Sequence, residues 1–183
     1  MGSGGDRPRF IVDSMLGDLA RWLRILGYDT LYYRNAPDPR IVKVALEQGR
    51  IIVTRDRGLA ILARKKGARY VLVRGERIEE VLAEVAAATG IALYADPSRS
   101  RCPLCNGVLR HVQRHEVKDR VPPEVYARYE DFWVCTRCGQ VYWRGSHWRM
   151  IEETLAKARQ LVDRVAERMR RPRLRLAVEK SGE

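Results

Sequence analysis

RFIVDSMLGDLARWLRILGYDTLYY, residues 9–33, packs a strand, a helix and a second strand into one short span. Arg9–Val12 (RFIV) is a short apolar run and reads as a buried strand. Leu16, Leu19, Leu23 and Leu26 follow at three- and four-residue spacing. That spacing predicts a helix over 16–26 with one apolar face, and Gly27 suits its C′ position. Thr30–Tyr33 (TLYY) then reads as the second strand.

The same alternation continues downstream. Pro39–Gln48 carries a helix signature, with Asp38 suited to the N-cap, Pro39 to the first helical position and Gly49 to the close. Ile51–Thr54 (IIVT) is a third strand, and Leu59–Lys66 a short helix ending at Gly67. Tyr70–Val73 (YVLV) is a fourth strand, and Ile78–Thr89 a helix ending at Gly90. Short apolar strands alternating with helices imply an α/β fold: a mostly parallel sheet covered on both faces. Ala95–Arg101 (ADPSRSR) breaks the pattern, and all four cysteines and three of the four tryptophans lie beyond it. A boundary is therefore drawn near residue 95. A long amphipathic helix is expected from Ser146 to about Arg170, followed by a frayed tail after Pro172.

The chain has 183 residues, 45% of them hydrophobic, which is enough for a real core and argues against wholesale disorder. No apolar run reaches membrane-spanning length, and Phe10–Val12 is far shorter than a signal peptide's apolar stretch. A soluble, cytoplasmic protein with no membrane partner is expected. Met1–Gly5 is set aside as small and flexible. The formal net charge is +12, from 35 Lys+Arg against 23 Asp+Glu. Such a surface attracts polyanions by counterion release, so nucleic acid is the natural partner. An arginine-rich composition or thermophilic surface ion pairs account for the same charge.

Two Cys-x-x-Cys pairs, CPLCNG (102–107) and CTRCGQ (135–140), are how a zinc ribbon supplies four thiolates to one tetrahedral ion. Asn106-Gly107 and Gly139 follow where the knuckle turn needs left-handed backbone. The pairs are 29 residues apart, beyond the usual spacing of about 15–20. A longer hairpin or a short helix must fill the gap. Cytosolic context argues against disulfides, and nothing resembles a thioredoxin-like redox pair. Cys102, Cys105, Cys135 and Cys138 are thus expected to hold one structural Zn²⁺, with no open position for chemistry. His111, His115 and His147 are read as surface, core or nucleic-acid contacts.

In an open parallel sheet, function collects at the carboxyl ends of the strands. Asp13 follows strand one, Asp38 lies after strand two, and Asp56 follows strand three. Three carboxylates at one edge repel each other unless a cation sits among them, and hard oxygen donors suit Mg²⁺ or Mn²⁺. Such a site activates water and binds a scissile phosphodiester. Each acid also has a local explanation: Asp38 and Asp13 as helix caps, Asp56 as a turn residue. Asp18, in the first turn of the first helix, is either a fourth acid or a dipole-favoured charge. Asp29 begins strand two, falls at the opposite edge and reads as structural.

Arg21 and Arg24 share a helix flank, where they either grip phosphates or pair within the fold. Arg55 and Arg57 flank Asp56 with the same two readings. Trp22 reads as core. FWVCTRC and VYWRGSHW interleave aromatic residues with Arg137 and Arg144, and His147 and Trp148 close the run. Such mixing suits RNA, which is read by stacking and phosphate contacts. It equally suits aromatics wrapped around a small metal core.

The stretches FIVDSMLGDLARWLRILGYDT (10–30), APDPRIVKVALEQGRIIVTRD (36–56), CPLCNG and CTRCGQVYWRGSHW together resemble the Mut-seven C-terminal RNase family over about 10–150. The resemblance implies a PIN-like domain followed by a zinc ribbon, with acids binding Mg²⁺ or Mn²⁺ and cutting RNA. The matching acids are Asp13, Asp38 and Asp56. Asp18 departs from the basic or neutral residue expected there. Segments 8–95, 96–150 and 151–183 then become a PIN-like nuclease domain, a zinc ribbon, and a C-terminal helix with a basic tail.

The expected activity is metal-dependent endoribonuclease cleavage that leaves a 5′-phosphate and a 3′-hydroxyl, the ribbon offering an aromatic, basic surface beside the acidic cleft. The RNA (tRNA, rRNA or mRNA) is left open, as is a ribosomal or protein regulator. The alternative is a non-catalytic RNA- or ribosome-binding protein that retains the fold. A phosphatase-type reading lacks a second aspartate two residues after Asp13.

Overall fold

The computed structural model describes residues 7–170. Met1–Gly5 and the tail after Pro172 lie outside the described residues. The first half comprises β1 (Phe10–Val12), α1 (Gly17–Ile25), β2 (Thr30–Tyr32), α2 (Asp38–Gln48), β3 (Ile51–Thr54), α3 (Arg57–Lys66), β4 (Tyr70–Leu72) and α4 (Ile78–Thr89). The second half comprises β5 (Leu109–Gln113), α5 (Pro123–Arg128), β6 (Asp131–Cys135), β7 (Val141–Tyr142) and α6 (His147–Arg170).

β1 to β4 form one sheet in the order β2-β1-β3-β4, every pairing parallel. Side chains alternate across a strand, so neighbours in sequence serve opposite faces. Phe10, Val12, Ile51 and Val53 face Leu19, Leu23, Val81, Leu82 and Leu155, so α1, α4 and α6 cover that face. Ile11 and Ile52 face Ile41, Val42, Ala45, Leu59 and Ala63, so α2 and α3 cover the other. Fully burying a side chain such as Leu23 contributes about 1.5–3 kcal/mol. Ile151, Leu155 and Ala158 of α6 belong to the same buried cluster as β1.

Several boundaries differ from the sequence reading. The helix expected from Leu16 is split: Ser14–Leu16 forms a 3-10 turn capped by the Asp13 side chain, and α1 starts at Gly17. α2 is capped by Pro37 in extended backbone, which puts Asp38 inside the first turn rather than at the N-cap. α3 begins at Arg57, two residues early, because Asp56 accepts hydrogen bonds from the amides of Gly58 and Leu59. Gly27, Gly49, Gly67 and Gly90 take the left-handed backbone expected after each helix.

The second sheet is antiparallel, in the order β5-β6-β7, over a small core of Val112, Val117, Phe132 and Val141. A 3-10 turn (Arg114–Val117) and α5 fill the long interval between the cysteine pairs. Among the described residues no helix is long and apolar enough to cross a membrane.

Candidate functional site

The strand order reverses at β1 and β3: the chain leaves β1 for β2 on one side and returns to β3 on the other. A crevice at the carboxyl ends of those two strands is where open α/β sheets bind ligands. Val12 pairs with Val53, so Asp13 and Thr54 emerge side by side. Asp13 is buried; its Oδ1 accepts the Met15 amide at 2.9 Å and its Oδ2 accepts the Thr54 hydroxyl. Thr54 Oγ1 in turn accepts the Asp56 amide at 2.8 Å. One buried hydroxyl thus joins two of the acids.

Asp38 reaches the same edge from the start of α2. Its carboxyl is pushed above the usual carboxylate range, first by burial and then by the charges of Asp56 and Asp13. Among the described residues the three carboxylates are not all within 4.8 Å of one another, as the four thiols are.

Asp18 turns away, 88% exposed at its side chain and 3.9 Å from Arg21. Arg24 does not face the edge at all. It is buried, with Nε donating to Thr30 O at 3.0 Å and Nη1 to Pro103 O at 2.9 Å and Leu104 O at 3.3 Å. Of the two readings of Arg24, its placement matches pairing within the fold: three carbonyls occupy Nε and Nη1. Arg55 donates to Gly75 O at 2.6 Å, and Arg57 is exposed on the first turn of α3. Trp22 packs partly buried against the main core.

The thiols lie in a second cluster. Cys102 Sγ is 3.6 Å from Cys138 Sγ, and Cys105 Sγ is 3.4 Å from Cys135 Sγ. No disulfide joins them. Four sulfurs around one ion at about 2.3 Å are about 3.8 Å apart, so the set is the right size for one metal ion. A Cβ on Gly107 would meet Cys135 Sγ at 2.7 Å, which is why the first knuckle needs glycine there. Burial raises Cys105 to about 12. Cys135 falls to about 7 against its own burial, because the Cys138 and Arg137 amides point at its sulfur. Two thiolates this close repel each other, and a bound cation favours ionising both. The Tyr142 hydroxyl lies 3.1 Å from Cys102 Sγ, a contact with no sequence signal.

The first knuckle docks on the amino end of β2. Asn106 Oδ1 accepts the Thr30 amide at 3.0 Å, and Asn106 Nδ2 donates to Asp29 at 2.7 Å. The linker seals the end of α1: Ser100 Oγ donates to Ile25 O and the Arg101 amide to Arg24 O. The thiol knuckle and the acids are therefore at opposite edges of the parallel sheet, which corrects the expectation of a ribbon beside the acidic cleft. Of the ribbon's RNA candidates, Arg137 donates to Cys105 O. Arg144 pairs with Glu152 and stacks 5.0 Å over Trp148. Trp148 Nε1 donates to the same Glu152, and His147 meets Trp143 edge-on at 6.5 Å. His111 pairs with Asp131 at 2.7 Å.

Sequence reasoning missed Thr54 and the buried Glu84 and saw Asn106 only as a left-handed turn residue; each acts through residues distant in the chain. The family model of the Mut7-C RNAse domain matches residues 8–155. No curated protein and no solved structure matches the chain. A parallel sheet with acids at its switch point, a four-thiol cluster and a family match over most of the length lead to one assignment: the chain belongs to the Mut7-C RNAse domain family.

Proposed function

We propose that the chain is a divalent-metal-dependent endoribonuclease whose site is Asp13, Asp38 and Asp56. One observation carries this reading: Asp38 is destabilised by burial and by the charges of Asp56 and Asp13, so the edge holds negative charge that a cation relieves. Mg²⁺ or Mn²⁺ bound there supplies positive charge that acidifies water and offsets the phosphodiester. Asp13, held by Thr54 and the Met15 amide, is the rigid donor. Among the described residues Asp56 Oδ2 has no hydrogen-bond partner, while Oδ1 caps α3. Asp38 accepts no hydrogen bond among the described residues and is free to turn toward the cation or orient the attacking water. Arg55 and Arg57 lie beside Asp56, where they contact the RNA backbone.

The four cysteines hold Zn²⁺ in a structural role, since their thiolates fill a tetrahedral shell. The ribbon's arginines and aromatics are an RNA surface separate from the acids.

RNA cleavage by wild type, Asp13→Asn and Asp56→Asn is assayed with Mn²⁺ or Mg²⁺. Each substitution is expected to lower cleavage by at least about a hundredfold, the scale of losing a preorganised charge at a reacting centre. Unchanged cleavage in both variants overturns the acid site. Absent cleavage with tight, salt-sensitive RNA binding supports the non-catalytic reading instead.

A further inference from the structure

Glu84 is a carboxylate buried in the middle of α4, between Ala83 and Val85, and the reading above gives it nothing to do. An isolated charge there is costly unless donors surround it. Three do. Glu84 Oε2 accepts the backbone amides of Arg74 at 2.7 Å and Gly75 at 3.2 Å. Glu84 Oε1 accepts Nη2 of Arg168, on α6, at 3.0 Å. Arg74 and Gly75 lie in the loop that follows β4 at the carboxyl edge of the sheet. A Cβ on Gly75 would meet Glu80 Cβ at 2.7 Å, so the loop is pressed onto the start of α4.

That loop meets the candidate site at two hydrogen bonds, one of them from the Val73 amide to Thr54 O at 2.9 Å. Gly75 O accepts Arg55 Nη2 at 2.6 Å, and Arg55 adjoins Asp56 in the chain. Among the described residues Arg55 forms no ion pair, and its Nε is buried with no partner. It is a cation pinned by one carbonyl beside an acidic edge. The arginines of α1 differ: Arg21 is paired with Asp18, and Arg24 is buried among carbonyls.

We propose that Glu84, tethered by Arg168, is a positioning residue that fixes the loop after β4 so that Arg55 presents a set guanidinium to an RNA phosphate beside Asp56. The proposal rests on the RNA-site reading above for its ligand but not on cleavage. Its physical basis is preorganisation: an arginine already held in its binding geometry loses less freedom when it meets phosphate. The C-terminal half of α6, beyond the matched residues 8–155, thereby becomes part of the site.

The test is a double-mutant cycle on binding of a single-stranded RNA oligonucleotide by the full chain. Affinity is measured across a salt series with no divalent cation added, so that nothing depends on cleavage. Arg55→Ala is expected to weaken binding and to reduce the salt slope by about one. Glu84→Gln is expected to weaken binding about fivefold while leaving the slope unchanged, a modest coupling for residues joined through one loop. In the Arg55→Ala background Glu84→Gln is expected to do nothing further.

Arg168→Ala is expected to mimic Glu84→Gln and to speed amide exchange at Arg74 and Gly75, with Arg168→Lys restoring both. Should Glu84→Gln fail to fold, the exposed Arg168 carries the same cycle. Equal weakening by Glu84→Gln with and without Arg55 overturns the proposal. So does Arg168→Ala with unchanged affinity and unchanged exchange. If the cycle shows coupling but the wild type cuts no RNA with Mn²⁺, the positioning role stands and the nuclease reading falls.

Discussion

Thr54 ends β3 and its hydroxyl is the joint between two acids, donating to Asp13 and accepting from the Asp56 amide. A buried hydrogen bond to a charged group contributes about 1.5–3 kcal/mol. Thr54→Val keeps the shape and β-branching but removes that joint. Mn²⁺-dependent cleavage is expected to fall by about tenfold or more at that magnitude, with Thr54→Ser close to wild type. A steady-state assay of both variants checks this, and equal activity in Thr54→Val would remove the hydroxyl from the account. In the sequence Thr54 is only the last residue of an apolar run. Its role depends on the register that sets Val12 against Val53, which no local pattern states. Arg24 teaches the converse: its spacing from Arg21 was legible, but its burial was not.

At the scale of elements, the joint between the first knuckle and β2 runs through Asp29. Its burial favours the neutral acid, but hydrogen bonds from Arg50 and Asn106 outweigh that and hold it below the usual carboxylate range. A group with a lowered folded pKa contributes stability above its unfolded value, near 3.8, and loses it as pH falls through the folded value. Wild type is therefore expected to lose stability on acidification below about pH 4, whereas Asp29→Asn starts lower and shows a flatter acid arm. Denaturant melts of the two proteins between neutral pH and pH 3 compare the slopes; parallel curves would contradict the linkage. The strand and helix types in this region were all legible, because each rests on near neighbours and a two- or four-residue period. The boundaries of α1, α2 and α3 shifted because the caps at Asp13, Pro37 and Asp56 are settled by side-chain geometry.

For the whole molecule, the thiol cluster and the acids are at opposite edges of one sheet, joined by its hydrogen-bonded body. Loss of the zinc proposed for the thiol cluster should then loosen one end and spare the other. Cys102→Ser is expected to lose its zinc and the amide protection of β5, β6 and β7. Protection in β1 and β3, the centre of the parallel sheet, should persist. Metal analysis with hydrogen exchange reads both. Full zinc occupancy in Cys102→Ser would refute the ligand set, and collapse of β1 and β3 would show the two ends to be one cooperative unit.

The sequence by itself determined the alternation of strands and helices, the four thiols spaced to hold a metal and the placement of Asp13 and Asp56 just after strands. These are matters of spacing between close neighbours, where period and turn chemistry suffice. Only the tertiary structure decided that Arg24 braces the knuckle, that the ribbon sits away from the acids, and that Arg168 reaches Glu84. Those contacts join residues 79 and 84 positions apart, and burial at such a distance is set by how whole elements pack.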